Sequence, residues 1–344
     1  MILMIALIGG GVYTARFFGM SRNVQGAIVG LGVLFVLAAQ LTLPDGNPVK
    51  TATGSLAGWT AAGVVLVIVM LYAQILGNLR SKAKPQASIA TDPAKLSATE
   101  LDRYARHLVL REVGGPGQQR LKKASVLVVG AGGLGSPALQ YLAAAGVGTI
   151  GVIDDDVVSA SNLQRQVIYR DDQIDMPKVF AATANLKALN PFSEIKPYNR
   201  ALTEDIATEL ISEYDVVLDG TDTFQTRSLV NRAAVAAERP LISGAIGQWE
   251  GQVSLFDPTR NLPCYACVFP TAPRDGQSCA EAGVMGALPG IIGSLMATEA
   301  IKLITGAGQT LSGRMFIYDA LYGENRTVEI EKRADCAVCG SGNG

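Results

Sequence analysis

The chain has 344 residues, enough for one large domain or two, and its 29 basic and 30 acidic side chains leave a formal net charge of −1. This balance gives no indication of nucleic-acid binding. A single histidine argues against a site built from several histidine ligands and against a Ser-His-Asp triad with a histidine to spare. The mean hydropathy of +0.26 is high for a soluble enzyme, and the excess lies in the first eighty residues.

Residues 1–80 are predicted to form a membrane anchor. Two uncharged apolar blocks, 26–43 and 58–77, are each close to the length that crosses a bilayer. Residues 1–15 are a possible third span, or a signal-like segment, although a cleaved signal peptide is not favoured because no basic region precedes it and further spans follow. A buried helical hairpin is the alternative, but these blocks lack a polar face.

Charged residues around the blocks predict the orientation of the anchor. Arg16 and Arg22 lie before the first long block and three basic residues follow the second, whereas Lys50 alone lies between them. Because basic loops stay on the cytoplasmic side, the C-terminal domain is expected in the cytoplasm, on the inner or plasma membrane. The three basic residues after the second block are Arg80, Lys82 and Lys84.

A polar linker is predicted at 81–97, and a catalytic domain at 98–344. Two prolines interrupt the linker, and Ser97 followed by Glu100 is the signature of a capping box that starts a helix.

The centre of the domain is predicted to be a β-α-β unit. An apolar run at 126–129 meets the glycines of a G-x-G-x-x-G pattern, and a second apolar run at 149–153 leads into Asp154. Such glycines let the backbone approach a phosphate at a helix N-terminus, and the acid can accept a ribose hydroxyl. The pattern alone does not separate dinucleotide from mononucleotide binders. The glycines are Gly130, Gly132 and Gly135.

The rest of the domain alternates between predicted strands and helices. This alternation predicts an α/β, Rossmann-like and mostly parallel sheet with helices on both faces. Asp222 follows a strand at 215–218, at the edge where ligands bind, and could hold Mg²⁺ beside a triphosphate or cap a helix. Lys178 begins another helix, where the helix dipole disfavours a cation unless a polyanion faces it.

The cysteines predict a metal site. Four of the five form two C-x-x-C pairs, Cys264 with Cys267 and Cys336 with Cys339, which is typical of structural zinc in a reducing compartment. The remaining cysteine, Cys279, is either a loop thiol or a nucleophile near the nucleotide.

Taken together, these motifs resemble the E1-like adenylyltransferases of the MoeB, ThiF and HesA group, most closely the molybdopterin-synthase adenylyltransferases. The resemblance extends over residues from about 100 to 340. The matching stretches are RYARHL (103–108), VLVVGAGGLGSPALQYLAAAGVG (126–148), IDDDVVSASNLQRQ (153–166), PK (177–178), DGTD (219–222), GAIGQWEGQVSLF (244–256), CYAC (264–267), SCAEAGV (278–284) and CAVC (336–339).

The resemblance implies ATP-dependent adenylation of the C-terminal glycine of a small ubiquitin-like sulfur carrier ending in Gly-Gly. It implies a homodimer in which Arg106 reaches the ATP of the other subunit, with ATP, Mg²⁺ and structural Zn²⁺ as cofactors. Asp154 is expected at the ribose, and Asp222 at the magnesium ion. The implied catalytic residues are Arg106, Arg165, Lys178 and Asp222, and the implied nucleotide-binding residues are Gly130, Gly132, Gly133, Gly135, Asp154, Ser161, Asn162, Leu163, Gln164, Arg165, Lys178, Asp222 and Thr223.

Two departures from the family pattern limit which residue roles can be transferred to this chain. Thr223 stands where many members have asparagine, which puts a side-chain contact at this position in doubt. No sulfurtransferase domain follows Cys339 in this sequence, so a separate sulfur donor protein is expected.

The substrate remains open among several carriers. The small subunit of molybdopterin synthase, in molybdenum cofactor biosynthesis, is favoured over the thiamine-pathway carrier and other sulfur carriers. A tRNA-modifying branch is less favoured, because the domain has no basic stretch. An NAD-dependent oxidoreductase would share the glycine pattern but would not account for Arg165, Lys178 and Asp222 at one edge, and a non-catalytic membrane scaffold would account for none of these residues.

Overall fold

The computed structural model describes residues 22–44, 46–53, 95–272 and 283–340, together with positions 55, 57, 64, 68, 71, 72 and 74. The chain divides into two compact units, Met1–Ala90 and Thr91–Gly344. Of the predicted linker at 81–97, only the last three residues lie within the described part.

The described part of the first unit contains two helices, α1 (Arg22–Thr42) and α2 (Pro48–Thr53). Gln40 Nε2 donates a hydrogen bond to Thr53 Oγ1 at 2.7 Å, which ties the end of α1 to α2. The helix α1 coincides with the predicted span at 26–43. Its part Gly30–Thr42 is apolar, and five large apolar side chains on it are exposed: Leu31, Leu34, Phe35, Leu37 and Leu41.

The membrane prediction is not established by the fold. Among the described residues, one helix is long and apolar enough to cross a membrane, Leu288–Thr305, and half of it is buried inside the second unit. A core helix of a soluble domain meets the same criteria. The predicted span at 1–15, and all but five positions of the span at 58–77, lie outside the described residues. The two or three transmembrane helices therefore stay a prediction.

The second unit is built on one eight-stranded sheet, in the order β3-β2-β1-β4-β5-β6-β7-β8. The first five strands in this order are parallel and the last three are added antiparallel. The strands are β1 (Ser125–Val129), β2 (Thr149–Ile153), β3 (Glu194–Tyr198), β4 (Val216–Asp219), β5 (Leu241–Ile246), β6 (Glu250–Phe256), β7 (Arg314–Asp319) and β8 (Glu324–Glu329).

The sheet is thus mixed, and the prediction of a mostly parallel sheet holds only for its first five strands. The connection between β5 and β6 is too short for the crossover that parallel strands need, because a parallel return takes a dozen or more residues. A hairpin therefore follows β5, and a second hairpin joins β7 to β8.

The sequence carries no clear signal for the strand β3. It lies at the edge of the sheet, and only Ile195 of its residues is fully buried, so its pattern of apolar residues is weak. Pro197 also lowers its apparent strand propensity, since proline is tolerated mainly in edge strands.

Helices cover both faces of the sheet, as predicted. Alternate residues of β1 enter two different cores, because successive side chains of a strand point to opposite faces. Val126 and Val128 pack in the core with α6, α7 and α11, and Leu127 and Val129 pack in the core with α8 and α9. The helices of this unit are α3 (Ala98–Arg103), α4 (Ala105–Leu108), α5 (Gly114–Lys123), α6 (Gly135–Ala145), α7 (Lys178–Leu189), α8 (Glu204–Ser212), α9 (Phe224–Ala236), α10 (Tyr265–Val268) and α11 (Leu288–Thr305).

The capping box at Ser97 is confirmed. Ser97 Oγ accepts a hydrogen bond from Glu100 N at 3.3 Å, and Glu100 Oε2 accepts one from Ser97 N at 2.8 Å. The single helix expected after it is broken at Tyr104, which separates α3 from α4. Tyr104 is buried, and its hydroxyl accepts a hydrogen bond from Asn190 Nδ2 at 2.8 Å. This anchor fixes the short segment that carries Arg106.

A tight turn joins β1 to α6 and sets the position of the site. Gly130 has a φ of +86°, a conformation that side chains other than glycine rarely adopt. A Cβ on Gly135 would lie 1.8 Å from the carbonyl oxygen of Gly130, so only glycine allows this approach. The N-terminus of α6 is therefore held directly against the carboxyl end of β1.

Candidate active site

A cleft of about 540 Å³ opens at the carboxyl ends of β1, β2 and β4. This volume is within the range typical of small-molecule sites, and the location is where open α/β sheets bind ligands. Most of the residues that are expected to bind nucleotide line this cleft. These are Gly130, Gly132, Gly133, Asp154, Asn162, Arg165, Lys178, Asp222 and Thr223.

The remaining expected residues lie outside the cleft wall. Gly135 packs beneath the turn, against the backbone of Gly130. Leu163 packs against the core, and Ser161 and Gln164 are exposed on the same loop. Arg106 is exposed on α4, and no described residue forms a hydrogen bond or an ion pair with its side chain.

The glycine turn leaves space for a ligand at one position. A Cβ on Gly133 would approach Pro289 Cβ at 3.1 Å, so this glycine is needed for packing against α11. A Cβ on Gly132 would have no neighbour nearer than Gln166 Nε2, at 3.7 Å. The open surface above Gly132, at the start of α6, is where a phosphate can approach the backbone.

Asp154 ties the glycine turn to the loop after β2. Its Oδ2 accepts a hydrogen bond from Ala131 N at 2.7 Å, and its Oδ1 accepts one from Asp156 N at 2.8 Å. The hydroxyl of Tyr169 donates to Ala131 O at 2.8 Å, so both backbone polar groups of Ala131 are held. Burial raises the pKa of Asp154 above its usual value, although the charge of Lys178 and the two backbone hydrogen bonds oppose the rise.

Lys178 has a partner that the sequence did not reveal. Its side chain is 4% exposed, and its Nζ lies 2.7 Å from Asp156 Oδ2, which is largely exposed. Lys178 N also donates to Asp156 O at 2.9 Å. The cation at the N-terminus of α7 is therefore compensated by an acid of the loop after β2, and it remains on the cleft wall.

Arg165 is held by its own loop. Its Nη2 donates to Asn162 Oδ1 at 2.7 Å and its Nη1 donates to Ser161 O at 3.1 Å. Asn162 and Arg165 thus enter the cleft as a pair, and Ser161 contributes only its backbone carbonyl to this contact.

The sequence suggests two roles for Asp222, which are binding Mg²⁺ and capping a helix. In the structure the helix cap is Thr223. Thr223 caps α9, because its Oγ1 accepts a hydrogen bond from Thr226 N at 3.2 Å. Asp222 is exposed in the cleft, and no described residue forms a hydrogen bond or ion pair with its carboxylate. The carboxylate is therefore available to a ligand, while the helix is capped by its neighbour.

Sequence reasoning missed a buried ion pair beneath Asp222. Asp219 is fully buried, and its Oδ1 accepts hydrogen bonds from Thr221 N at 3.1 Å and Thr221 Oγ1 at 2.7 Å. Arg227 Nη1 lies 3.8 Å from Asp219 Oδ2 and donates to Gly244 O at 2.7 Å, and Nη2 donates to Thr221 O. These contacts fix the loop that presents Asp222. Arg227 falls one helical turn after the cap at Thr223, a spacing that could have indicated it.

The four paired cysteines converge as the sequence predicts. Their sulfur atoms lie within 4.8 Å of one another, with distances of 4.0 Å for Cys264–Cys267, 3.7 Å for Cys264–Cys336 and 3.4 Å for Cys267–Cys339. A tetrahedral zinc ion with bonds of about 2.3 Å requires sulfur atoms about 3.8 Å apart, so the cluster could bind zinc. Cys279 lies outside the described residues.

The fold and the cleft define a nucleotide-binding α/β protein, and comparison with known proteins gives its family. Residues 104–338 match the ThiF family, and the chain belongs to this family. It is similar to the sulfur carrier protein adenylyltransferase of Thermus thermophilus, with 50% identity over 70% of this chain and 91% of that protein. It is also similar to the SAMP-activating enzyme E1 of Haloferax volcanii, with 47% identity over 72% and 92%. The chain is therefore an adenylyltransferase, and ATP use follows from the family.

Other relatives are longer than the matched part. The adenylyltransferase and sulfurtransferase MOCS3 of Bos taurus is 48% identical over 72% of this chain, which spans 55% of that protein.

Among solved structures, that of PaaA has a TM-score of 0.61 at 23% identity, and the match covers 86% of this chain and 94% of the PaaA chain. Escherichia coli MccB with ATP has a TM-score of 0.61 at 22% identity, covering 69% and 74%. These two likenesses support the fold alone.

We expect the cysteine cluster to hold about one zinc ion per chain, which links the C-terminal segment to the loop after β6. Cys336→Ser removes one of the four zinc ligands, so it should reduce the bound zinc severalfold. Because the zinc ion would join the segments that carry the cysteines, its loss should also lower the melting temperature. Metal analysis and thermal unfolding measure both effects. Cys279→Ser is the matched control and should leave the zinc content unchanged. Equal zinc in Cys336→Ser and the unaltered chain would show that these cysteines do not bind it.

Proposed function

We propose that the chain adenylates the C-terminal glycine of a small ubiquitin-like sulfur carrier ending in Gly-Gly. The observation that carries this proposal is the convergence of Asn162, Arg165, Lys178 and Asp222 on one cleft beside the glycine turn. An adenylyltransferase must bind ATP and deliver a nucleophile to its α-phosphate. The names of the Thermus and Haloferax relatives support a sulfur carrier as the source of that nucleophile.

In the proposed reaction, a carboxylate oxygen of the carrier's terminal glycine attacks the α-phosphorus of ATP. A new bond forms between this oxygen and phosphorus, the bond to the bridging oxygen of the β-phosphate breaks, and pyrophosphate leaves. No side chain has to remove a proton, because the carboxylate is ionised near pH 7. Catalysis then depends on positioning and on neutralising charge at the phosphoryl oxygens.

The cleft residues fit these demands. Asp154 is proposed to accept the ribose hydroxyls, and Arg165 and Lys178 to face the phosphates together with Asn162. Asp222 is proposed to hold Mg²⁺, which would neutralise charge on the triphosphate when bound. The carboxylate of Asp222 has no partner among the described residues and is presented by the loop that Arg227 fixes, which supports this role.

The particular carrier is proposed to be the small subunit of molybdopterin synthase, with the thiamine-pathway carrier and other sulfur carriers as the alternatives. Sulfur is proposed to come from a separate donor protein. This is supported by the Thermus relative, which is named an adenylyltransferase alone and which this chain covers over 91% of its length.

The active form is proposed to be a homodimer with two composite sites. Arg106 is exposed and lies outside the cleft of its own chain, on a segment that Tyr104 anchors rigidly. A second copy would let Arg106 reach a neighbouring ATP, as the family resemblance implies.

Residues 1–80 are proposed to anchor the enzyme to the inner or plasma membrane, with the catalytic unit in the cytoplasm. The exposed apolar side chains of α1 support this.

The full chain should remain in the membrane after an alkaline wash, and protease should reach the catalytic unit only from the cytoplasmic side. Release of the intact chain by the wash would contradict the anchor.

We expect exchange of labelled pyrophosphate into ATP that depends on a carrier ending in Gly-Gly. Asp222→Ala and Arg165→Ala should each reduce the exchange at least roughly a hundredfold, because each removes a charge that faces the phosphates. Asp172→Ala and Arg170→Ala are matched controls, since these residues pair with each other outside the cleft wall. Undiminished exchange in the first two variants, with both controls active, would show that the site is assigned wrongly.

We expect complementation between two inactive variants if the sites are composite. In a mixed dimer of an Arg106→Ala chain and an Asp222→Ala chain, one site keeps Asp222 and receives an intact Arg106 from the other chain. Mixing the two under conditions that exchange subunits should therefore restore part of the exchange activity. A mixture as inactive as its components would contradict a role of Arg106 across the dimer.

A further inference from the structure

The buried side chain of Asn231 lies between α9 and the cysteine cluster. Asn231 is 1% exposed, and its Oδ1 accepts a hydrogen bond from Tyr265 N at 2.9 Å. Its Nδ2 donates to Cys264 Sγ at 3.7 Å. One amide therefore contacts both the first backbone N–H of α10 and a sulfur atom of the cluster.

The two contacts differ in what they contribute to the fold. The N–H of Tyr265 has no partner within α10, because the first turn of a helix leaves its donors unpaired, so the carbonyl end of Asn231 serves the fold. The amino end donates to a sulfur atom, which is a weak acceptor when it belongs to a neutral thiol. The fold alone therefore gains little from this second contact.

A metal ion would change the strength of the contact with sulfur. Zinc binds thiolates, and four thiolates around one zinc ion leave a net negative charge on the cluster. Three of the four cysteines, Cys264, Cys267 and Cys336, are buried, so water supplies few of the hydrogen bonds that this charge requires. A hydrogen bond to a charged acceptor is roughly twice as strong as one to a neutral acceptor. The amino end of Asn231 therefore stabilises the thiolate form of Cys264.

The helix that carries Asn231 also fixes the loop of Asp222. Thr223, Arg227 and Asn231 follow one another at intervals of four residues, so they lie on one face of α9. Arg227 holds the loop of Asp222, and Asn231 contacts Cys264. One face of α9 therefore contacts the cleft loop at its start and the cysteine cluster two turns later.

We propose that Asn231 is a positioning residue of the zinc site. Its amide nitrogen donates a hydrogen bond to the thiolate of Cys264, which raises the affinity of the cluster for zinc and holds the cluster on α9. Partners of this kind orient metal ligands, and their loss typically lowers metal affinity by about ten- to a hundredfold. The proposal rests on zinc binding by the four cysteines and does not depend on adenylation.

The test compares Asn231→Asp with Asn231→Leu in the full chain. Both variants lose the donor to Cys264, but aspartate keeps an oxygen that can accept from Tyr265 N. Zinc affinity is measured by competition with a chelator while each variant is folded. The variants are also loaded with cobalt, because the thiolate-to-metal charge-transfer band reports the electron density on sulfur.

Both variants should bind zinc roughly tenfold more weakly or worse, and their cobalt band should move to longer wavelength. The effect should be larger for Asn231→Asp, because its carboxylate lies beside the thiolate of Cys264. A loss of zinc affinity in Asn231→Leu alone would show that only the contact with Tyr265 N matters, and it would overturn the proposal. An unshifted cobalt band in both variants would overturn it too.

Two control variants separate this role from a general loss of stability. Val235, one turn further along α9, packs against the cluster but has no donor, so Val235→Ala should leave the cobalt band unshifted. Asn190 is also fully buried, but it donates to the hydroxyl of Tyr104. Asn190→Asp should lower the melting temperature and leave zinc affinity and the cobalt band unchanged.

A measurement on the unaltered chain decides the case in which neither Asn231 variant folds. In the chain loaded with cadmium, nuclear magnetic resonance should show coupling between the metal and an Nδ2 proton of Asn231 across the hydrogen bond. Absence of this coupling, with couplings from cadmium to the cysteine Cβ protons visible, would overturn the proposal. An unaltered chain that binds neither zinc nor cobalt would overturn the proposal together with the predicted zinc site, and would leave the proposed adenylation standing.

Discussion

The carboxylate of Asp154 accepts hydrogen bonds from Ala131 N and Asp156 N, and so joins the glycine turn after β1 to the acidic loop after β2. Ala131 lies between Gly130 and Gly132 of this turn, and Asp156 holds Lys178 at the start of α7. One side chain therefore sets the distance between the glycine turn, where phosphate is proposed to bind, and the cation that is proposed to face it. Since parallel strands bring their carboxyl ends to one edge, the arrangement follows from the order of β1, β2 and β4.

The charged groups of the cleft wall are held in place by contacts within the protein. Lys178 is paired with Asp156, Arg165 is held by Asn162, and Arg227 is locked beneath the loop of Asp222. Groups that are already oriented need little reorganisation when charge develops on the phosphoryl oxygens, which is the condition for electrostatic catalysis. The carboxylate of Asp222, in contrast, has no hydrogen-bond or ion-pair partner among the described residues, which fits its proposed role in binding a cation.

Much of the fold and of the candidate site could be predicted from the sequence, because glycine turns, paired cysteines and the alternation of strands and helices have local sequence patterns. The turn at Gly130–Gly135 and the convergence of Cys264 with Cys336 are of this kind. Long-range partners leave no such pattern: the contact of Lys178 with Asp156 and the ion pair of Asp219 with Arg227 depend on how separate elements pack. The edge strand β3 was missed since one exposed face and Pro197 obscure its alternation.

The central claim is that this cleft converts the terminal carboxylate of a carrier into a mixed anhydride with AMP. The most direct measurement uses ATP labelled at the α-phosphate, the full chain, Mg²⁺ and a carrier ending in Gly-Gly, with mass spectrometry of the carrier afterwards. The account predicts a labelled adenylate on the terminal glycine, formed together with pyrophosphate and absent when the last glycine is removed. A chain that binds ATP but leaves every such carrier unlabelled would contradict it.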